Sequence, residues 1–190
     1  MPKEDTLVIH EIYASIQGES TFAGLRCTFV RTTGCNLRCS WCDTPQAFYG
    51  GTRLPRAEVL RRALETGTPL VELTGGEPLL QPGTRPLLTE LCDAGRTVLI
   101  ETSGEADVAG VDARVHKIMD LKAPGSGESH RNRWSNLAHI TPRDELPIGK
   151  YSKVTATTMK RANMELWRWI AAAGLIVLLF EWWWYHKRTA

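Results

Sequence analysis

Three cysteines stand within eight residues, Cys35-Asn36-Leu37-Arg38-Cys39-Ser40-Trp41-Cys42, in a C-x3-C-x2-C loop. Thiolate sulfur is a soft, strongly donating ligand, and such a cluster suits iron–sulfur chemistry. Three thiolates can hold three irons of a cubane and leave the fourth open to a chelating amine and carboxylate. One electron passed from the reduced cluster to such a ligand can break a C–S bond and release a carbon radical. The competing chemistry is structural zinc. Zinc asks for four ligands, often as two C-x2-C pairs. Here there is no second pair and no histidine pair at finger spacing, and the fourth candidate, Cys27, lies in an apolar segment that reads as a strand. Cys27 and Cys92 suit small buried hydrophobes better than ligands.

The rest of the composition is that of a globular protein: 190 residues, 43% hydrophobic and 23% charged. A net charge of +2 is too small to argue for nucleic acid or an acidic membrane surface as a partner. Five cysteines, an odd number with three of them crowded together, do not make a secreted disulfide scaffold. The N-terminal MPKEDTLVIHEIYASIQGES has no apolar signal run, so residues 1–150 read as cytoplasmic.

The elements that must position the loop follow from periodicity. Leu7–Tyr13 alternates as a strand, and Cys27–Arg31 is another that runs straight into the cysteine loop. Pro55 suits the first turn of a helix with Val59, Leu60, Ala63 and Leu64 on its apolar face and Gly67 as its stop. Leu70–Leu73 is a buried strand ending at Thr74-Gly75-Gly76-Glu77-Pro78. A second helix covers about 85–94, with Leu87, Leu88, Leu91 and Cys92 inward and Gly95 beyond it. Thr97–Glu101 is a strand ending at Thr102-Ser103-Gly104, and His116–Leu121 is a strand ending at Lys122-Ala123-Pro124-Gly125. Alternating strands and helices imply an α/β fold with a parallel sheet. Each polar or glycine-bearing motif falls just after a strand, the edge where parallel folds gather their chemistry. Ordinary turns are also rich in Gly, Pro and Ser and would explain any one of these motifs, but four together favour a shared site.

After Leu146 the character changes. Five of the seven tryptophans, Trp167, Trp169, Trp182, Trp183 and Trp184, flank the apolar run Ile170–Phe180. The run is shorter than the ~20 residues a spanning helix needs. With its aromatic flanks, 166–185 reaches that length, and Lys160, Arg161, Lys187 and Arg188 bracket it as in a membrane-interface anchor. The other readings are a buried or interfacial amphipathic helix, or a tail foreign to the domain.

The cysteine loop with Asp43-Thr44, followed by Thr74-Gly75-Gly76-Glu77-Pro78, resembles the radical S-adenosylmethionine (SAM) superfamily. Ser15–Ser20, Phe29-Val30-Arg31, Gly34–Cys39, Glu72–Pro78 and Glu101–Gly104 follow in an order similar to the 7-carboxy-7-deazaguanine synthase family. The resemblance covers about residues 7–146 and implies a partial parallel β/α barrel. It implies that Cys35, Cys39 and Cys42 hold a [4Fe–4S] cluster and that Thr44 ligates Mg²⁺. Trp41, Cys42, Asp43, Gly76, Ser103, Asp120, Leu121 and Lys122 would surround SAM. Ile16, Gln17, Gly18, Glu19 and Thr74 would line the substrate, with Arg31 meeting its carboxylate as a bidentate partner. The implied reaction converts 6-carboxy-5,6,7,8-tetrahydropterin to 7-carboxy-7-deazaguanine with loss of ammonia, in deazapurine and queuosine synthesis. A homodimer and an external electron donor such as flavodoxin are implied with it.

Pro142–Leu146 still resembles the family; from Pro147 on, nothing does. The expectation is a radical SAM core over 1–146 and an atypical tail over 147–190 carrying an apolar Trp-rich helix. The barrel's last strands are missing or replaced, so that the edge of the sheet is left unpaired. Two other functions share the cysteine loop: an activase that draws hydrogen from a partner enzyme's glycine, and a metal-binding remnant tethered by its tail. The Ile16–Glu19 and Arg31 pocket speaks against the activase.

Overall fold

The computed structural model describes residues 5–147. Its frame is a six-stranded sheet in the order β3-β1-β2-β4-β5-β6: β1 Thr6–Ile16, β2 Arg26–Thr32, β3 Thr52–Pro55, β4 Leu70–Gly75, β5 Thr97–Thr102 and β6 His116–Met119. β2, β4, β5 and β6 run parallel, with Arg31 beside Thr74 and Leu73 beside Ile100. β1 pairs antiparallel with both β2 and β3, so the sheet is mixed rather than wholly parallel as the sequence suggested. The reason is the short connection Gln17–Leu25. A turn of that length can join only antiparallel neighbours, since a parallel pair needs a crossover of a dozen residues or more.

Alternation along each strand separates two faces. Val30, Val71, Leu73, Val98, Ile100 and Met119 point to the helices α1 Arg56–Glu65 and α2 Thr84–Asp93 and form the main core. α1 inserts Val59 and Ala63, with Leu60 and Leu64 partly buried, and Gly67 follows it at φ 71. α2 buries Leu87, Leu88 and Leu91. The opposite face carries Cys27, Phe29, Leu70, Leu99 and Ile118, interleaved with the polar Arg31, Glu72, Thr74 and Glu101. This second face lines a lumen. Phe22, from the turn between β1 and β2, packs edge-on against His116 of β6 at 5.0 Å between ring centroids. Two strands that are far apart in the sheet order are thus brought together by its curl, as a partial barrel requires.

The edge of the sheet differs from expectation. Glu145–Pro147 runs beside β6: Ile118 and Glu145 form a parallel bridge, Met119 N–H donates to Glu145 O at 2.9 Å, and Leu121 N–H donates to Pro147 O at 2.9 Å. The chain thus begins to pair the edge that was expected to lie open. The Lys117 ammonium and the Asp144 carboxylate, 5% and 1% exposed, fasten this segment with a 3.0 Å ion pair. The tail and its Trp-rich segment 166–185 lie outside the described residues. Among the described residues no helix is long and apolar enough to cross a membrane.

Candidate active site

The cysteine loop leaves β2 and is gripped from both sides. Gly34 N–H donates to Ala47 O at 2.8 Å, and Glu77 N–H, just past β4, donates to Gly34 O at 2.8 Å. On the other flank, Ser40 donates from its N–H to Ser126 O at 3.0 Å and from its hydroxyl to Gly125 O at 2.8 Å. Arg38 holds the loop from within. One amino group donates to Cys35 O at 2.8 Å and Leu37 O at 2.6 Å, and the guanidinium lies 4.3 Å from the Phe48 ring centroid. Sequence reasoning missed this residue, which sits inside the motif but is not a ligand type.

Cys35, Cys39 and Cys42 are half-buried free thiols. Burial pushes Cys35 up, while a hydrogen bond from Leu37 N–H to its sulfur, 3.4 Å long, pulls it down. Burial likewise pushes Cys39 up, against the nearby Lys122 ammonium. Among the described residues no group of three or more His, Cys, Asp or Glu side chains converges to hold a metal ion. A tetrahedral zinc site needs its thiolates within about 2.3 Å of one centre, whereas a cubane takes one thiolate at each of three separate corners. Three soft donors on one loop, with an N–H aimed at one sulfur and a cation beside another, fit the donor set of a cubane.

The loops after β4, β5 and β6 close on the same edge. Gly76 has no room for a side chain: a Cβ there would lie 2.1 Å from Gly34 O and 3.0 Å from Cys35 Cβ. Gly125 is also tight, against Trp41, whose ring a Cβ would meet at 2.8 Å. Ser103 is committed inward. Its hydroxyl donates to Glu77 at 2.7 Å and its N–H donates to the same oxygen at 2.8 Å, while Thr102 bonds the fully buried carboxylate at 2.9 Å. Lys122 Nζ lies 2.6 Å from Asp120 Oδ2. Burial opposes the Lys122 charge, but Asp120 outweighs it and holds the ammonium above its ordinary range. Asp120 Oδ1 is buried with no hydrogen-bond partner among the described residues. This orphaned acceptor, facing the loop edge, fits a donor-bearing cofactor. Leu121 is tied by its N–H to Pro147. Thr44 donates its hydroxyl to Asp43 at 2.8 Å, which leaves its oxygen lone pairs for a cation.

The substrate set divides into two. Arg31 and Thr74 are register partners near the cysteine edge, on the lumen face. Arg31 donates to Glu11 at 2.8 Å and to Tyr13 at 3.1 Å, and Thr74 donates to Glu101 at 2.7 Å. Ile16, by contrast, is the last residue of β1 and pairs with Arg26 at the start of β2. Gln17, Gly18 and Glu19 therefore lie at the opposite mouth of the lumen, about 20 Å along the strand from the cysteine end. Gln17 rejoins the two groups: it is 4% exposed and its amide donates to Glu72 in mid-sheet. Glu72 and Glu101 open two of the motifs quoted from the sequence but were given no role there, although a glutamate inside the apolar run Leu70–Leu73 is itself a signal of a buried polar site.

A curled sheet whose parallel strands end at a three-thiol loop and a Gly-Gly-Glu-Pro turn defines a class. The Radical SAM superfamily matches residues 29–124. The chain belongs to that superfamily and, within it, to the 7-carboxy-7-deazaguanine synthase family. It is 51% identical over 137 residues to the 7-carboxy-7-deazaguanine synthase of Chlorobaculum tepidum, covering 72% of this chain and 62% of that protein. Against the protein of the same name from Koribacter versatilis it is 48% identical over 140 residues, covering 73% and 62%. Against that of Thermoplasma acidophilum it is 40% identical over 144 residues, covering 75% and 69%. The chain thus spans 62% of the length of the first two relatives. The crystal structure of QueE from Escherichia coli has the same fold, with a TM-score of 0.56 at 21% identity, covering 84% of this chain and 91% of that one. Membership of the superfamily implies a [4Fe–4S] cluster and SAM.

Proposed function

We propose that the protein is a radical SAM lyase that converts 6-carboxy-5,6,7,8-tetrahydropterin to 7-carboxy-7-deazaguanine with loss of ammonia. Cys35, Cys39 and Cys42 would hold the cluster, which would supply the electron for reductive cleavage of SAM. The chain's own part is to bind, orient and exclude water. The observation that supports the reading is the inner face of the curled sheet, where Arg31 and Thr74 are register partners near the cysteine loop and Gln17 reaches Glu72 from the far end. Arg31 offers the substrate's carboxylate the donors that Glu11 and Tyr13 leave over, since a guanidinium has five. Thr74, Gln17, Gly18, Glu19 and Ile16 line the space for the substrate. Trp41, Cys42, Asp43, Gly76, Ser103, Asp120, Leu121 and Lys122 surround SAM, with Gly76 admitting close backbone approach. Thr44 would hold Mg²⁺ through its hydroxyl, a cation that accepts few protein ligands.

The working enzyme is a homodimer reduced by an external donor such as flavodoxin, and its partner is a small molecule rather than nucleic acid. The test is turnover. Protein reconstituted anaerobically with iron and sulfide, given the tetrahydropterin, SAM, Mg²⁺ and a reductant, is expected to form 7-carboxy-7-deazaguanine and ammonia. A loaded cluster that cleaves SAM without forming that product would remove the assignment.

A further inference from the structure

The turn between β1 and β2 is fastened from three directions. Its own backbone closes through Gln17 N–H to Leu25 O and Gly24 N–H to Gln17 O, both 2.8 Å. At the far side Thr21 donates from its N–H and its hydroxyl to Glu145, at 2.9 and 2.7 Å. In the middle Gln17 reaches into the lumen, donates to Glu72, and accepts from Glu19 N–H at 3.3 Å. Glu72 is 4% exposed and stands between Phe29 and Leu99 in the register of the sheet. A carboxyl so placed adds nothing to an apolar core and costs free energy to bury. Its hydrogen-bonding partner is the residue that begins the proposed substrate turn.

We propose that Glu72 is a positioning residue for the substrate: through Gln17 it fixes the Gln17–Glu19 turn as the floor of the lumen, and its proton governs how readily an anionic substrate enters. This rests on the function proposed above. The groups that face it are Glu101 from β5, Glu19 from the turn, and Arg31 and Cys27 from β2. Burial first, then the Glu101 carboxylate, push Glu72 up to about 7, against the pull of the Gln17 amide. Below that pH it is a neutral acid that still accepts from Gln17. Above it, a further negative charge joins Glu101 and Glu19 and opposes the carboxylate of the pterin.

The experiment compares reconstituted wild type, Glu72→Gln and Glu72→Leu in two measurements. In steady-state kinetics, the wild-type KM for the pterin should rise from about pH 6 to about pH 8.5 as Glu72 ionises. Glu72→Gln, uncharged but still an acceptor, should hold the low-pH KM throughout. Glu72→Leu should raise KM about tenfold at every pH, the scale of one buried hydrogen bond lost, with the effect falling on KM rather than kcat. In hydrogen exchange, the Gln17 and Gly24 amides should exchange about tenfold faster in Glu72→Leu and at the wild-type rate in Glu72→Gln. Unchanged exchange in Glu72→Leu overturns the clamp. A Glu72→Gln enzyme that keeps the wild-type pH profile, or loses kcat with KM intact, overturns the role assigned to the proton. Wild type that makes no deazaguanine removes the assigned reaction, and the exchange rates alone then decide the clamp.

Discussion

Replacing Glu72 with glutamine should make the folded chain more stable at pH 8 and leave it almost unchanged at pH 4. In the unfolded chain the carboxyl titrates near the ordinary 4.5; in the lumen, burial and the Glu101 carboxylate raise it to about 7. Between those values the folded state keeps a proton that the unfolded state has lost. Raising the pH through that window therefore removes stability, and above about 7 the loss is complete. At about 1.4 kcal/mol for each pH unit, the displacement amounts to about 3 kcal/mol. Because Glu72 is only 4% exposed, water does little to screen the effect. Glutamine has no proton to lose and still accepts from Gln17, so it recovers most of that free energy at pH 8. The assay is urea denaturation of wild type and Glu72→Gln at matched cluster loading, at pH 4.5, 6 and 8. A difference between the two proteins that stays constant across pH would refute the linkage, and one that grew towards acid would reverse its sign.

Three further outcomes follow from contacts elsewhere. Gly76→Ala must push a Cβ into Gly34 O, 2.1 Å away and part of the backbone. It should cost about 1–3 kcal/mol by overpacking and lower iron retained per chain, read by denaturation and iron analysis, while Gly18→Ala, with nothing within 4 Å, leaves stability alone. Asp144→Asn breaks a buried pair and should cost roughly 3–5 kcal/mol at pH 7. Burial works against the Asp144 charge, but the Lys117 and Thr141 N–H groups and the Lys117 ammonium outweigh it and hold the carboxyl below its ordinary 3.8. Its contribution is thus complete above about pH 4 and fades as the pH falls below that, so the two proteins' unfolding curves should converge in acid. Arg38→Ala frees the carbonyls of Cys35 and Leu37 and uncovers Phe48, so chelator challenge should strip iron from it faster than from wild type.

The legible parts of the fold were those set by local period. The faces of α1 and α2 and the apolar cores of β4 and β5 follow from side chains that must leave water, and the structure places them within a residue or two of expectation. β3 was not legible, because Thr52 and Arg53 are exposed on an edge strand and carry no apolar alternation. Nor was the direction of β1, which is set by the partner it finds. The Lys117–Asp144 pair joins residues 27 apart, and no local pattern announces it. In the site, the cysteine loop and Gly76 stood out because their residue types have few other uses, and the structure packs the two together. Ser103 was readable only as a position: its hydroxyl turns inward to Glu77, a choice made by a buried carboxylate that needs donors.

The pieces of the lumen also explain one another. A parallel sheet gathers loop chemistry at the carboxyl ends of its strands, so the thiols, Gly76, Ser103 and Lys122 all stand at one mouth. The radical chemistry proposed above asks that the other mouth exclude water as well. The antiparallel β1 supplies the stopper, because its tight return to β2 must lie at the amino ends of the parallel strands. The Thr21–Glu145 and Phe22–His116 contacts carry that turn across to the last strand. Glu145 serves twice, since its backbone pairs with β6 while its side chain holds the turn. The segment that begins to cover the sheet's open edge is thus also the one that fastens the lumen's floor. A change that detached Glu145 from β6 should therefore loosen residues 17–25 as well as the edge, although more than a hundred residues of sequence separate them.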